Sequence, residues 1–147
     1  MKLAIVYSSI SGNTEELAQL LLEHFKRKGL DVNCYRVEEF PIHSILNFDG
    51  LLIGTYTWGD GEVPLEMLPL LHELAGNSRK NLVTGVFGTG DRFYPKFCGA
   101  VDAFRDSLKY TTNLAVTLKI ELSPQNVDME KIGVFVERIV ERLGVPV

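Results

Sequence analysis

The sequence predicts a doubly wound α/β domain, a five-stranded parallel sheet with helices on both faces. Five short apolar runs suited to buried strands alternate with helix-length amphipathic segments, and each connection is long enough for a crossover. A third observation sets the working end of that sheet: the first apolar run passes through a Ser- and Gly-rich turn directly into a helix.

Leu3 to Tyr7 is apolar at every position and reads as a fully buried strand. Thr14 to Lys28 follows as a helix, with Leu17, Leu20, Leu21 and Phe25 on one face and Gly29 as its stop. Asp31 to Arg36 alternates Val32, Cys34 and Arg36 with polar residues, the pattern of an edge strand. Phe48 to Thr55 is a near-continuous apolar run suited to a central strand, and a polar loop separates it from a helix starting near Pro64. Leu82 to Gly88 repeats that run, with a helix over Phe97 to Tyr110. Leu114 to Leu122 is the last strand. In Asp128 to Leu143 the residues Met129, Ile132, Phe135, Val136, Ile139, Val140 and Leu143 trace one helical stripe.

At 147 residues, 46% of them hydrophobic, the chain is expected to form one domain over residues 1–147. A formal net charge of −4 argues against a nucleic-acid partner. Cys34 and Cys98 lack metal-ligand spacing, so no metal site is expected and reduced thiols in a cytoplasm are. No segment has the length to span a bilayer.

Three loops leave the carboxyl ends of strands, where such sheets bind ligands. In Ser8 to Asn13 the helix that follows offers unpaired N–H groups and its positive dipole end to an anion. Gly12 permits close backbone approach; Ser9, Ser11, Asn13 and Thr14 add side-chain donors. With Lys2 the one basic residue from Lys2 to Glu16, the arrangement suits a permanently bound phosphate monoester. The alternative is that Asn13 or Thr14 caps the helix and the serines fill a turn. A P-loop and a dinucleotide fingerprint are both absent.

In the second loop, Tyr56 to Val63, the single tryptophan, Trp58, stands among glycines and acids, suited to covering a flat heterocycle or, alternatively, to acting as a packing lid. Gly59 and Gly61 allow unusual dihedrals, while Asp60 and Glu62 bring negative potential. The third loop, Thr89 to Lys96, adds Tyr94 facing outward, so that two aromatics can sandwich a ring. Phe93 and Phe97 are expected in the core. Cys98 is either an inert buried thiol or a backbone N–H donor. His24, His43 and His72 read as surface or packing residues.

Together these residues resemble the short-chain flavodoxins, over essentially the whole length. The motifs are Ser9-Ile10-Ser11-Gly12-Asn13-Thr14-Glu15, Thr57-Trp58-Gly59-Asp60, and Gly90-Asp91 followed by Tyr94 and Phe97-Cys98-Gly99-Ala100-Val101-Asp102. The resemblance implies strand order 2-1-3-4-5 and an FMN-dependent one-electron carrier working between semiquinone and hydroquinone, without substrate turnover of its own. It implies that Ser9, Ser11, Asn13 and Thr14 hold the phosphate, with Ile10 and Gly12 also in the cofactor site, and that Trp58 and Tyr94 flank the ring. Tyr56, Thr57, Gly59, Asp60, Thr89, Gly90, Asp91, Phe97 and Cys98 complete the cofactor site. Tyr56 stands where the family often has a small hydroxylated residue, which implies an altered phosphate contact. The implied partners are a flavodoxin or ferredoxin reductase as donor and redox enzymes as acceptors, docked transiently on a monomer by Asp60, Glu62 and Glu66. Two related readings are a redox activator of a metalloenzyme and an FMN quinone or NAD(P)H oxidoreductase. A phosphoacceptor receiver domain would need an Asp where Thr55 to Thr57 lie.

Overall fold

The computed structural model describes residues 1–144. Its elements are β1 (Lys2–Tyr7), α1 (Asn13–Arg27), β2 (Asp31–Arg36), β3 (Gly50–Tyr56), α2 (Leu68–Gly76), β4 (Arg79–Gly90), α3 (Gly99–Thr111), β5 (Thr112–Glu121) and α4 (Met129–Leu143). All five strands are parallel, in the order β2-β1-β3-β4-β5, so β2 is an edge strand as its alternating sequence predicts.

Side chains that alternate along a strand reach opposite faces, which is why apolar runs without alternation end in a sheet covered twice. Along β1, Leu3, Ile5 and Tyr7 pack with Leu17, Leu21 and Phe25 of α1 and with Ile132, Phe135 and Ile139 of α4. Ala4 and Val6 face the other way, against Leu70 and Leu74 of α2 and Val101, Phe104 and Leu108 of α3. At about 25 cal/mol per Å² of apolar area removed from water, each of these large side chains stabilises the fold by roughly 1.5–3 kcal/mol.

The chain leaves β1 toward β2 on one side and returns to β3 on the other. Strand order therefore reverses at the carboxyl ends of β1 and β3, which opens a crevice between their loops. Some expectations are corrected. Residues 37–47, to which the sequence pattern assigns no element, form two 3-10 turns (Val37–Glu39 and Ile42–Asn47), and these turns together with Phe48, which precedes β3 instead of opening it, seat Val37, Phe40, Ile45 and Phe48 in the second core, on the α2 and α3 side. A further 3-10 turn, Leu65–Met67, precedes α2, whose α-helical turns begin at Leu68 instead of Pro64. Met129, the first residue of α4, is 38% exposed, while the rest of its stripe is buried. No helix among the described residues is long and apolar enough to cross a membrane.

Candidate functional site

The crevice at the strand ends is a cavity of about 510 Å³, within the range of small-molecule sites. All three predicted loops meet there. Ile10, Ser11 and Asn13 line it from the first, Tyr56, Thr57, Trp58 and Gly59 from the second, and Thr89, Gly90, Asp91, Tyr94 and Cys98 from the third.

At its first-loop end α1 begins without a side-chain cap. Gly12 is its N-cap at φ +95°, a conformation that disfavours other residues. The Gly12 N–H donates to Ser9 Oγ at 3.1 Å, and the Asn13 N–H reaches Ser11 Oγ at 3.5 Å. The N–H groups of Thr14 and Glu15 meet no acceptor among the described residues, the arrangement that welcomes an anion. Neither Asn13 nor Thr14 caps the helix with its side chain. Thr14 is buried instead, its hydroxyl 2.7 Å from that of Thr89, which ties α1 to the end of β4.

The second loop closes through reciprocal 2.8 Å bonds between the backbones of Trp58 and Glu62, with Gly59 (φ +51°) and Gly61 (φ +83°) inside it. It is fastened to the third loop. The Ala100 N–H donates to Thr57 Oγ1 at 3.1 Å, so a threonine from one loop caps α3 beyond the other. A Cβ on Gly61 would lie 2.5 Å from Lys96 Cδ, and Lys96 Nζ stands 3.8 Å from Asp60 Oδ2. Trp58 and Tyr94 remain 55% and 64% exposed, two aromatic faces free at the crevice from opposite loops.

Cys98 caps α3 in the left-handed region at φ 52° and is buried. Burial is the main cause that pushes its thiol up to about 11, so it is protonated and unreactive at neutral pH. Its own N–H meets no acceptor among the described residues, consistent with the backbone-donor alternative. The placement of Phe93 is corrected: it is 95% exposed, because it tips outward when its N–H donates to Asp91 Oδ1. Phe97 lies half-buried beneath the Arg92 guanidinium, at 4.5 Å, and packs on the second core outside the cavity lining.

Glu66 is also corrected. One of its carboxylate oxygens accepts from the buried Ser8 hydroxyl at 2.6 Å and the Tyr56 hydroxyl at 2.7 Å, so it braces the strand ends instead of facing outward. Burial alone would raise the Glu66 carboxyl, but hydrogen bonds from Ser8, Tyr56 and its own backbone outweigh it and hold the group below the usual carboxylate range. Tyr56 is pushed up to about 12, by burial first and then by Glu66. Sequence reasoning also missed Leu122, which lines the cavity at φ 56° with its N–H bonded to Gly90 O, because an apolar residue ending a strand carries no binding signal. Among the described residues no cluster of His, Cys, Asp or Glu is placed to hold a metal.

A family model described as Flavodoxin matches residues 5–132. Probable flavodoxin 1 of Bacillus subtilis is 40% identical over 127 residues, which covers 84% of this chain and 80% of that one. The solved flavodoxin of Streptococcus pneumonia TIGR4 superposes with a TM-score of 0.91 at 33% identity, over 97% of this chain and 99% of that one. The sulfite reductase (NADPH) flavoprotein alpha-component of Mannheimia succiniciproducens is 33% identical over 103 residues, which are 68% of this chain but 17% of that protein.

Proposed function

Since this chain belongs to the flavodoxin family and is an FMN-binding electron carrier, we propose how its own residues hold the cofactor. The single observation that carries the reading is one crevice that brings together free N–H donors from the first loop and two exposed aromatics, Trp58 and Tyr94, from the other two. Its chemistry fits FMN: an uncapped helix start suits a phosphate, and exposed aromatic faces suit a flat, weakly polar ring.

In this reading the N–H groups of Thr14 and Glu15, with Ser11 and Asn13, bind the phosphate, while Ser9 and Gly12 shape the turn and Ile10 covers it. Thr14 and Thr89 hold each other and fix the helix start against the sheet. Trp58 and Tyr94 bracket the ring and exclude water from its faces. The backbones of Thr57, Gly59, Asp60, Gly90, Asp91 and Cys98 orient its edge; Phe97 supports the third loop from beneath. Tyr56 has its hydroxyl drawn to Glu66, so it borders the phosphate as a wall instead of a donor. When bound, FMN supplies the one-electron chemistry, and the protein sets its position and electrostatic surroundings.

Flavodoxin-like domains work with reductases and other redox enzymes. For this chain we place a reductase as donor and a redox enzyme as acceptor, docked transiently on a cytoplasmic monomer that forms one domain. The test is a pair of fluorescence titrations with FMN and riboflavin. Ser11→Ala with Asn13→Ala should weaken FMN at least tenfold and leave riboflavin nearly unchanged; equal losses for both flavins would move the phosphate elsewhere.

A further inference from the structure

The first loop has a cation that sequence reading did not place there. Arg36, at the end of edge strand β2, donates from Nη2 to the Ser9 carbonyl at 3.0 Å and from Nη1 to Glu15 Oε2 at 3.3 Å. Its guanidinium lies over the Tyr7 ring at 5.4 Å, and its Nε stands 3.8 Å from Glu38 Oε2. One planar, always-charged group thus joins the beginning of the loop to the first turn of α1, across the turn that Gly12 makes.

Two consequences follow. Ser9 is held by its carbonyl from outside the loop while its Oγ accepts the Gly12 N–H, so the residue that fixes the turn is itself braced by Arg36. Glu15 is drawn aside by its side chain. Its own backbone N–H is one of the unpaired donors, and its carboxylate would otherwise stand uncompensated beside any anion bound there. The helix dipole alone does not remove that conflict, because Glu15 and Glu16 both sit in the first turn, where a bound phosphate would add further negative charge.

We infer that Arg36 is a positioning residue that sets the preference of this site for a phosphorylated flavin over an unphosphorylated one, by bracing the Ser9–Gly12 turn and offsetting the Glu15 charge. The inference rests on the phosphate reading given above. Arg36 itself need not touch the phosphate: its bonds go to the loop carbonyl and the Glu15 side chain.

The experiment measures FMN and riboflavin dissociation constants for the wild-type chain, Arg36→Gln, Arg36→Lys and the double variant Arg36→Gln/Glu15→Gln. Arg36→Gln should weaken FMN about tenfold, the worth of one hydrogen bond to a charged group, with riboflavin changed less than about twofold. Arg36→Lys should fall between, since an ammonium keeps the charge but not the two-armed reach. Adding Glu15→Gln to Arg36→Gln should recover several-fold of the loss. As a readout without flavin, inorganic phosphate should raise the thermal midpoint of the apoprotein less in Arg36→Gln than in wild type. Equal weakening of both flavins, or unchanged FMN affinity, would overturn the inference. A wild-type chain that binds the two flavins equally tightly would instead overturn the phosphate reading itself, whatever Arg36 does.

Discussion

At the scale of single residues, Glu66 has a role no spacing could announce. It accepts two short hydrogen bonds on one oxygen, from Ser8 at the end of β1 and Tyr56 at the end of β3, and so pins together the two strands between which the crevice opens. The partners lie 58 and 10 residues away in the chain, which is why a reading by local pattern assigned Glu66 to an acidic docking face. Its carboxyl is held below the ordinary glutamate range in the folded state. For a depressed carboxyl the contribution to stability is fully present above the unfolded value and disappears as pH falls through the folded one. Glu66→Gln should therefore lower the thermal midpoint at neutral pH, and the gap to wild type should narrow as the solution is acidified below the usual carboxylate range. Thermal melts of the apoprotein across that interval check it; a gap that stays constant would mean the charge of Glu66 is not what the two hydroxyls stabilise. Other residues were legible alone. Gly12 and Trp58 were, because a glycine before a helix and a lone tryptophan beside glycines each have few uses in a loop. Phe93 was misread, since the turn that tips it outward depends on Asp91 and is invisible in hydrophobicity.

At the scale of elements, the strands and helices were readable because burial on both faces writes itself as unbroken apolar runs and stripes. The 3-10 turns between β2 and β3 were not: segments of three and six residues hold too few positions for a period, yet they deliver Val37, Phe40 and Ile45 to the core. The coupling between loops was equally hidden. Thr57 reads from the sequence only as part of the cofactor site, but its hydroxyl accepts from Ala100 and supplies the cap that α3 lacks from its own residues. Thr57→Val keeps the shape and removes the acceptor, so it should cost about 1 kcal/mol of stability, the usual worth of a helix cap. Thr57→Ser should cost much less. Because Trp58 and Tyr94 sit on the two loops thus joined, the valine variant should also bind both FMN and riboflavin more weakly, by the same factor. Denaturant unfolding with paired flavin titrations separates this from a phosphate-end defect, which would spare riboflavin.

At the scale of the whole molecule, a net charge of −4 favours a basic partner, but the rim of the crevice is not simply acidic. Asp60 is paired with Lys96 at 3.8 Å and Glu121 with Arg92 at 3.8 Å, while Trp58 on the second loop and Phe93 and Tyr94 on the third stand exposed. Both ion pairs are largely solvated, so each stabilises the fold by at most about 1 kcal/mol and matters more for the local field than for folding. Lys96 is the informative position. It lies across Gly61 and compensates the Asp60 carboxylate, so its removal leaves Asp60 bare without touching the net acidity elsewhere. Lys96→Gln should raise the low-salt rate of electron transfer to a basic haem protein by a few-fold and steepen its fall with ionic strength, since steering by exposed charge is screened over about 10 Å at 0.1 M salt. An uncompensated Asp60 should also make the bound flavin harder to reduce, shifting its potentials to more negative values. Stopped-flow rates over a salt series, with a redox titration of the same variant, test both arms. A potential that moves while the salt slope does not would place Asp60 beside the ring but off the docking face, and would leave Phe93 and its apolar neighbours as the surface a partner meets first.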